Sequence, residues 1–229
     1  MSKVIAVIAA HADDEALGCG GTIAKFVKAG CQVHVLLLAD GETSRSDLDA
    51  ENYDKATKLR KKAAARANEI LGTTSLTTLN FPDNRMDGLE LLDVVKVVET
   101  FIAEHRPNVV ITHFPNDVNI DHQITHQAVV VACRPQPNHC VQELLFMEIA
   151  SSTEWIPGMG QGLFSPNYWV DITEFIDIKM AALNAYKDEL REFPHPRSIK
   201  GVKALSRWRG CAAGVASAES FVVGRIIAK

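Results

Sequence analysis

An unbroken apolar run, Val4-Ile5-Ala6-Val7-Ile8-Ala9-Ala10, opens the chain and stops at His11. A run without polar alternation at that length predicts a strand buried on both faces. Residues 22–29 read as a helix closed by Gly30, and 33–38 as a second strand leading into a polar loop over 40–49. Ala56, Leu59, Ala63, Ala67 and Ile70 recur at helical spacing until Gly72 stops them. Residues 76–81 alternate as a strand that meets the turn Pro82-Asp83-Asn84. Leu91, Val94, Val95, Val98, Phe101 and Ile102 mark an amphipathic helix, 109–113 a fourth strand, and 122–133 another helix. Beyond residue 135 the pattern loosens into strands over 144–150 and 168–172 and helices over 174–190 and 198–218.

Strands alternating with helices of this length predict an α/β fold: a mostly parallel sheet with helices on both faces, joined by right-handed crossovers. In such sheets ligands sit at the carboxyl ends of strands, where the strand order reverses. The polar clusters 11–15, 40–47, 82–87 and 113–122 all fall at those ends. No repeat or linker interrupts the chain, so 1–229 is expected to be one domain, with 135–229 completing the pocket.

Composition narrows the classes. With 229 residues, 47% of them apolar, the chain can bury a sizeable core. Its formal charge is -4 and no basic block stands out, which argues against a nucleic-acid partner. No apolar run approaches the ~18 residues of a membrane span. The five cysteines are scattered, odd in number and form no CxxC pair, which disfavours disulfide scaffolds and sulfur-type zinc sites and points to a reducing cytoplasm.

Two clusters carry chemistry. His11-Ala12-Asp13-Asp14-Glu15 puts a His and adjacent carboxylates at the end of a buried strand, which is costly unless they are paired or bound to metal. Asn116-Asp117-Val118-Asn119-Ile120-Asp121-His122 follows the fourth strand. If strands one and four are neighbours, His122 approaches His11 and Asp14, and two His with one Asp form an open site that leaves a position for water. An all-N/O donor set suits zinc, with ferrous iron the second choice. Singly, each piece has a plainer explanation: Asp13 and Asp14 as helix caps, Glu15 as a dipole partner. Gly18-Cys19-Gly20-Gly21 lacks the full dinucleotide-binding spacing.

His11-Ala12-Asp13-Asp14-Glu15 followed by the glycine turn resembles the His-Pro-Asp-Asp-Glu signature of the LmbE-like (PIG-L) zinc-dependent de-N-acetylases. Asp121-His122 resembles the end of that family's His-Pro-Asp-His motif. Asp40-Gly41-Glu42, Arg60, Phe81-Pro82-Asp83 and Ala218-Glu219-Ser220-Phe221 are similar to further family landmarks. The resemblance implies a Rossmann-like fold and hydrolysis of an acetamide on an N-acetylglucosamine-type sugar or glycoconjugate. It implies His11, Asp14 and His122 as metal ligands, Asp13 as general base, Arg60 and Asp83 as sugar-holding residues, and Asp121 as support for a ligand imidazole.

The chain departs from that pattern in three places. Asn119 replaces a histidine credited with oxyanion or acid work, and an amide donates a hydrogen bond but delivers no proton. Asp13 then serves as both base and acid, or His195 in Phe193-Pro194-His195-Pro196-Arg197-Ser198 takes the second role, with Arg197 beside it suited to a carboxylate or phosphate. Ala12 replaces the signature proline. Ala63 stands where relatives often carry Glu, so no partner for Arg60 is apparent. Arg197, Arg207 and Arg209 lean toward an anionic group on the substrate. Competing readings are an amidase acting on a non-sugar N-acyl compound and a non-catalytic carbohydrate- or nucleotide-binding protein on the same fold. The apolar C-terminal stretch 221–228 is a candidate contact of a homo-oligomer.

Overall fold

The computed structural model describes residues 3–44, 50–137, 140–157 and 162–228. The polar loop expected over 40–49 is therefore described through Ser44. Seven strands and six helices of four residues or more alternate among the described residues: β1 (Val4–Ala9), α1 (Asp14–Lys28), β2 (Gln32–Ala39), α2 (Ala50–Leu71), β3 (Ser75–Phe81), α3 (Leu91–His105), β4 (Val109–His113), α4 (Ile120–Ala132), β5 (Glu143–Met147), β6 (Tyr168–Asp171), α5 (Ile176–Ala185), α6 (Ile199–Ala213) and β7 (Ala218–Ile226).

They form one sheet in the order β3-β2-β1-β4-β5-β7-β6. The first five strands in that order run parallel, and β7 pairs antiparallel with both β5 and β6. β1 is buried on both sides, as its unbroken apolar run requires. Ile5, Val7 and Ala9 enter the core under α1, α2 and α5, while Ala6 and Ile8 enter the core under α3 and α4. Chain order reverses between β1 and β4, the expected ligand-binding end of the sheet.

Three sequence expectations shift. The first helix begins at Asp14, not Thr22, because the glycine turn is itself helical with a break at Cys19 (φ -146°). Those glycines let the helix lie close to the sheet: a Cβ on Gly21 would stand 2.8 Å from Ile172 Cδ1. The helix expected over 198–218 stops at Gly214, which takes a left-handed φ of 73°. Finally, 218–226 is an inner strand of the sheet, paired with β5 and β6, and Phe221 in it is fully buried. Its buried Glu219 obscured the strand in the sequence. That carboxylate accepts the Gly21 and Thr22 N–H groups and pairs with buried Lys179 at 2.6 Å, tying the last strand to the first helix.

Gly21→Ala is expected to destabilise the fold. Overpacking against stiff, buried Ile172 outweighs the helix-propensity gain, leaving a net cost of about 1–2 kcal/mol. Thermal unfolding checks this as a midpoint lowered by several degrees.

Candidate metal centre and active site

β1 and β4 deliver the two polar clusters to one place. Leaving β1, the chain turns sharply at Asp13, whose φ of 118° is unusual for any residue with a Cβ. Its N–H donates to Glu15 Oε2 at 3.2 Å, while Glu15 Oε1 accepts from Tyr186 (2.6 Å) and Asn68 (3.1 Å). This buried network holds the turn. Asp13 sits at the cap position of α1 without a side-chain capping bond. Instead its Oδ2 accepts from Arg197 Nη1 at 3.2 Å, so the plain helix-cap reading fails. Burial raises the Asp13 carboxyl and Arg197 opposes the rise, leaving it at about 6.

Asp14 points the other way, into the sheet end. Its Oδ2 accepts the His11 N–H at 2.8 Å and lies 3.4 Å from His11 Nδ1 and 3.3 Å from His122 Nε2. Its Oδ1 is buried with no hydrogen-bond partner. One ligand atom from each of His11, Asp14 and His122 falls within 4.8 Å of the others. The far nitrogen of each imidazole meets a carboxylate. His11 Nε2 meets Asp121 at 2.9 Å and Asp83 at 3.0 Å, and His122 Nδ1 meets Asp117 at 3.1 Å. Carboxylate-backed imidazoles around an unsatisfied buried oxygen are the donor arrangement a divalent cation needs.

A second triad, His11, Asp83 and Asp121, is also close enough for an ion. Its carboxylates are already engaged: Asp121 accepts from the Met86 and Asn84 N–H groups, and Asp83 from Ser44 and the Asn84 amide. Those two carboxylates support His11 rather than hold a further ion.

The electrostatics agree. Burial lowers the His122 imidazole, but Asp14 and Asp117 outweigh it and raise the group to about 9. Burial works against His11 in the same way, and its hydrogen bonds to Asp121, Asp14 and Asp83 raise it well above the usual value. The field at this point favours positive charge. His113 differs: burial and neighbouring His122 push it down to about 3. It is stacked on His122 at 3.9 Å, and its Nε2 accepts the Ala10 N–H. It is a neutral brace, not an acid.

A small cavity of about 150 Å³ opens over Asp13 and His11. Gly41, Ser44, Arg60, Asp83, Asn84, Asn119, Glu189 and Arg197 are the other wall residues among those described. Arg60 does have partners: Nε donates to Glu42 (2.7 Å) and Nη2 to Glu189 (2.5 Å), in place of the Glu that position 63 lacks. Gly41 (φ 74°) lets Arg60 pass, since a Cβ there would stand 2.7 Å from Arg60 Cδ. Asn119 caps α4, its side-chain oxygen accepting from the Asp121 N–H at 2.8 Å while Nδ2 donates to Asn84. His195 is not on the cavity wall. Its Nδ1 accepts the Arg197 N–H, and its ring meets Trp155 edge-on at 5.7 Å.

Asp117, Glu15, Tyr186 and Glu189 are the contributors that sequence spacing did not single out. Asp117 and Glu15 had a signal, lying in the same polar clusters as His122 and His11; Tyr186 and Glu189 had none. Asp117→Asn is expected to weaken metal affinity about 10–100-fold, read by competition with a chromophoric chelator. Unchanged affinity would mean that Asp117 does not orient His122.

A parallel α/β sheet with a carboxylate-backed His/Asp/His cluster at its switch point defines the class: an α/β protein built to hold a metal beneath a polar cavity. Residues 6–133 match the sequence profile of the PIG-L family, GlcNAc-PI de-N-acetylase, and the chain belongs to that family. It is 28% identical over 200 residues to the diacetylchitobiose deacetylase of Thermococcus kodakarensis, covering 83% of this chain and 71% of that one. It is 28% identical over 215 residues to a probable N-acetyl-α-D-glucosaminyl L-malate deacetylase of Bacillus cereus, covering 91% and 94%. The crystal structure of the conserved protein TT1542 from Thermus thermophilus superposes with a TM-score of 0.76 at 29% identity, covering 100% of this chain and 97% of that one.

Proposed function

We propose that the protein is a metal-dependent N-deacetylase that hydrolyses the acetamide of an N-acetylglucosamine-type sugar or glycoconjugate, releasing acetate and the free amine. One observation carries the reading: a buried His11/Asp14/His122 donor set stands beside a separate carboxylate, Asp13, that faces a polar cavity. Deacetylases among the relatives support the same reaction. The N/O donor set favours zinc, with ferrous iron second. When bound, such a cation supplies an acidified water and polarises the acyl oxygen.

This chain's residues do the rest. Asp13 takes the proton of the attacking water as general base, steadied by Arg197. Asn119 has an amide hydrogen beyond the one given to Asn84 and offers it to the oxyanion. The departing sugar nitrogen needs a proton, and Asp13, which has just gained one and stands on the cavity wall, returns it. His195, the other candidate acid, stands off the cavity wall, its Nδ1 taken by the Arg197 N–H. Asp83 and Asn84 hold sugar hydroxyls, and Arg60, paired with Glu42 and Glu189, fixes the wall beside them. The five cysteines are all free, which fits a reducing cytoplasm, and no helix among the described residues is long and apolar enough to cross a membrane.

Acetate release from a panel of N-acetylated sugars and non-sugar N-acetyl amines tests the assignment. Release from the sugars is expected. Release confined to the non-sugar amides would replace the reading with a general amidase, and no release from either would remove it.

A further inference from the structure

We infer that the substrate is uncharged around the amide it loses: its neighbouring group is a neutral polyhydroxyl moiety and not one bearing phosphate or carboxylate. This rests on the deacetylase reading and narrows it.

Every guanidinium on the described cavity wall is already committed to a carboxylate. Arg60 bonds Glu42 at 2.7 Å and Glu189 at 2.5 Å, and only 8% of its side chain is exposed. Arg197 bonds Asp13 at 3.2 Å and Ser151 Oγ at 3.0 Å. An incoming anion would exchange one charge-assisted bond for another and leave a displaced carboxylate unpaired in a buried place, a costly outcome.

The charge balance points the same way. Among the described wall residues, Asp13, Asp83 and Glu189 outnumber Arg60 and Arg197. Around the ligand set, Asp14, Asp117 and Asp121 carry more negative charge than a dication neutralises. The described charges therefore disfavour an approaching anion even with a metal in place. Among the described residues, the groups left to recognise a ligand are Ser44, Asn84, Asn119 and carboxylate oxygens, which suit hydroxyls.

The basic residues that suggested an anionic substrate are used elsewhere. Arg209 grips Glu148 in a bidentate pair at 2.7 and 2.6 Å, and Arg207 is exposed and not on the cavity wall.

The test compares kcat/KM of the metal-loaded enzyme for methyl N-acetyl-α-D-glucosaminide and for N-acetyl-α-D-glucosamine 1-phosphate, which differ only at the anomeric substituent. The neutral sugar should be favoured at least about tenfold at low ionic strength. The gap should narrow as salt screens the repulsion, through a rise in the phosphate's rate. Glu189→Gln, which removes one negative charge from the wall, should narrow it too. An equal or faster phosphate substrate, or one whose rate falls with salt, would overturn the inference while leaving the deacetylase reading intact. Acetate release from neither would overturn both.

Discussion

Asp13→Asn is expected to lower kcat/KM by about 10²–10⁴-fold, the range for loss of a positioned general base, with metal content unchanged. The substitution is well matched to the question. Asp13 lies outside the ligand set, and its side chain points to Arg197. Asparagine tolerates the left-handed backbone nearly as well as aspartate, so the turn at φ 118° should survive. The amide keeps the shape and loses the capacity to take a proton. Metal analysis beside the kinetics separates chemistry from collapse of the site, and full activity would exclude Asp13 as the base.

Asp14→Asn should produce the other large effect, by a different route. Asp14 is the charged member of the ligand set, and its Oδ1 is the buried oxygen left without a partner. Neutralising it removes the anion that both imidazoles face. The variant should lose its metal on dialysis and fall to background activity even though Asp13 is in place. A stability readout accompanies this. A ligand that binds only the folded chain stabilises it by about 4 kcal/mol at a thousand times its Kd. Zinc added to the stripped wild type should therefore raise its thermal midpoint, and added to Asp14→Asn it should not. Equal shifts in the two proteins would place the metal elsewhere.

Much of this site was legible in the sequence because strand ends are. An apolar run stopping at His11 and another stopping at His113 mark where the chain leaves the core, and polar residues just after such points share one end of a parallel sheet. His11, Asp14 and His122 could be brought together on that argument alone, and β1 and β4 are neighbours as it required. Partners fixed by tertiary packing were not legible. Glu189 reaches Arg60 from the segment after α5, and Tyr186 reaches Glu15 across 171 residues. No periodicity encodes such pairs. Arg197 was singled out for a substrate anion, whereas its nearest anion is the protein's own Asp13. Asp121 precedes His122 in sequence yet backs His11, because the first turn of α4 points successive side chains in different directions. The last strand escaped notice since a buried glutamate broke its apolar pattern.

One metal held by His11, Asp14 and His122 should make this chain a deacetylase. Stripped enzyme titrated with zinc while acetate release from an N-acetylglucosaminide is recorded tests it most directly. Negligible release is expected without metal, then a linear rise with added zinc and a plateau at one equivalent per chain. Undiminished acetate release from the fully stripped protein would contradict it.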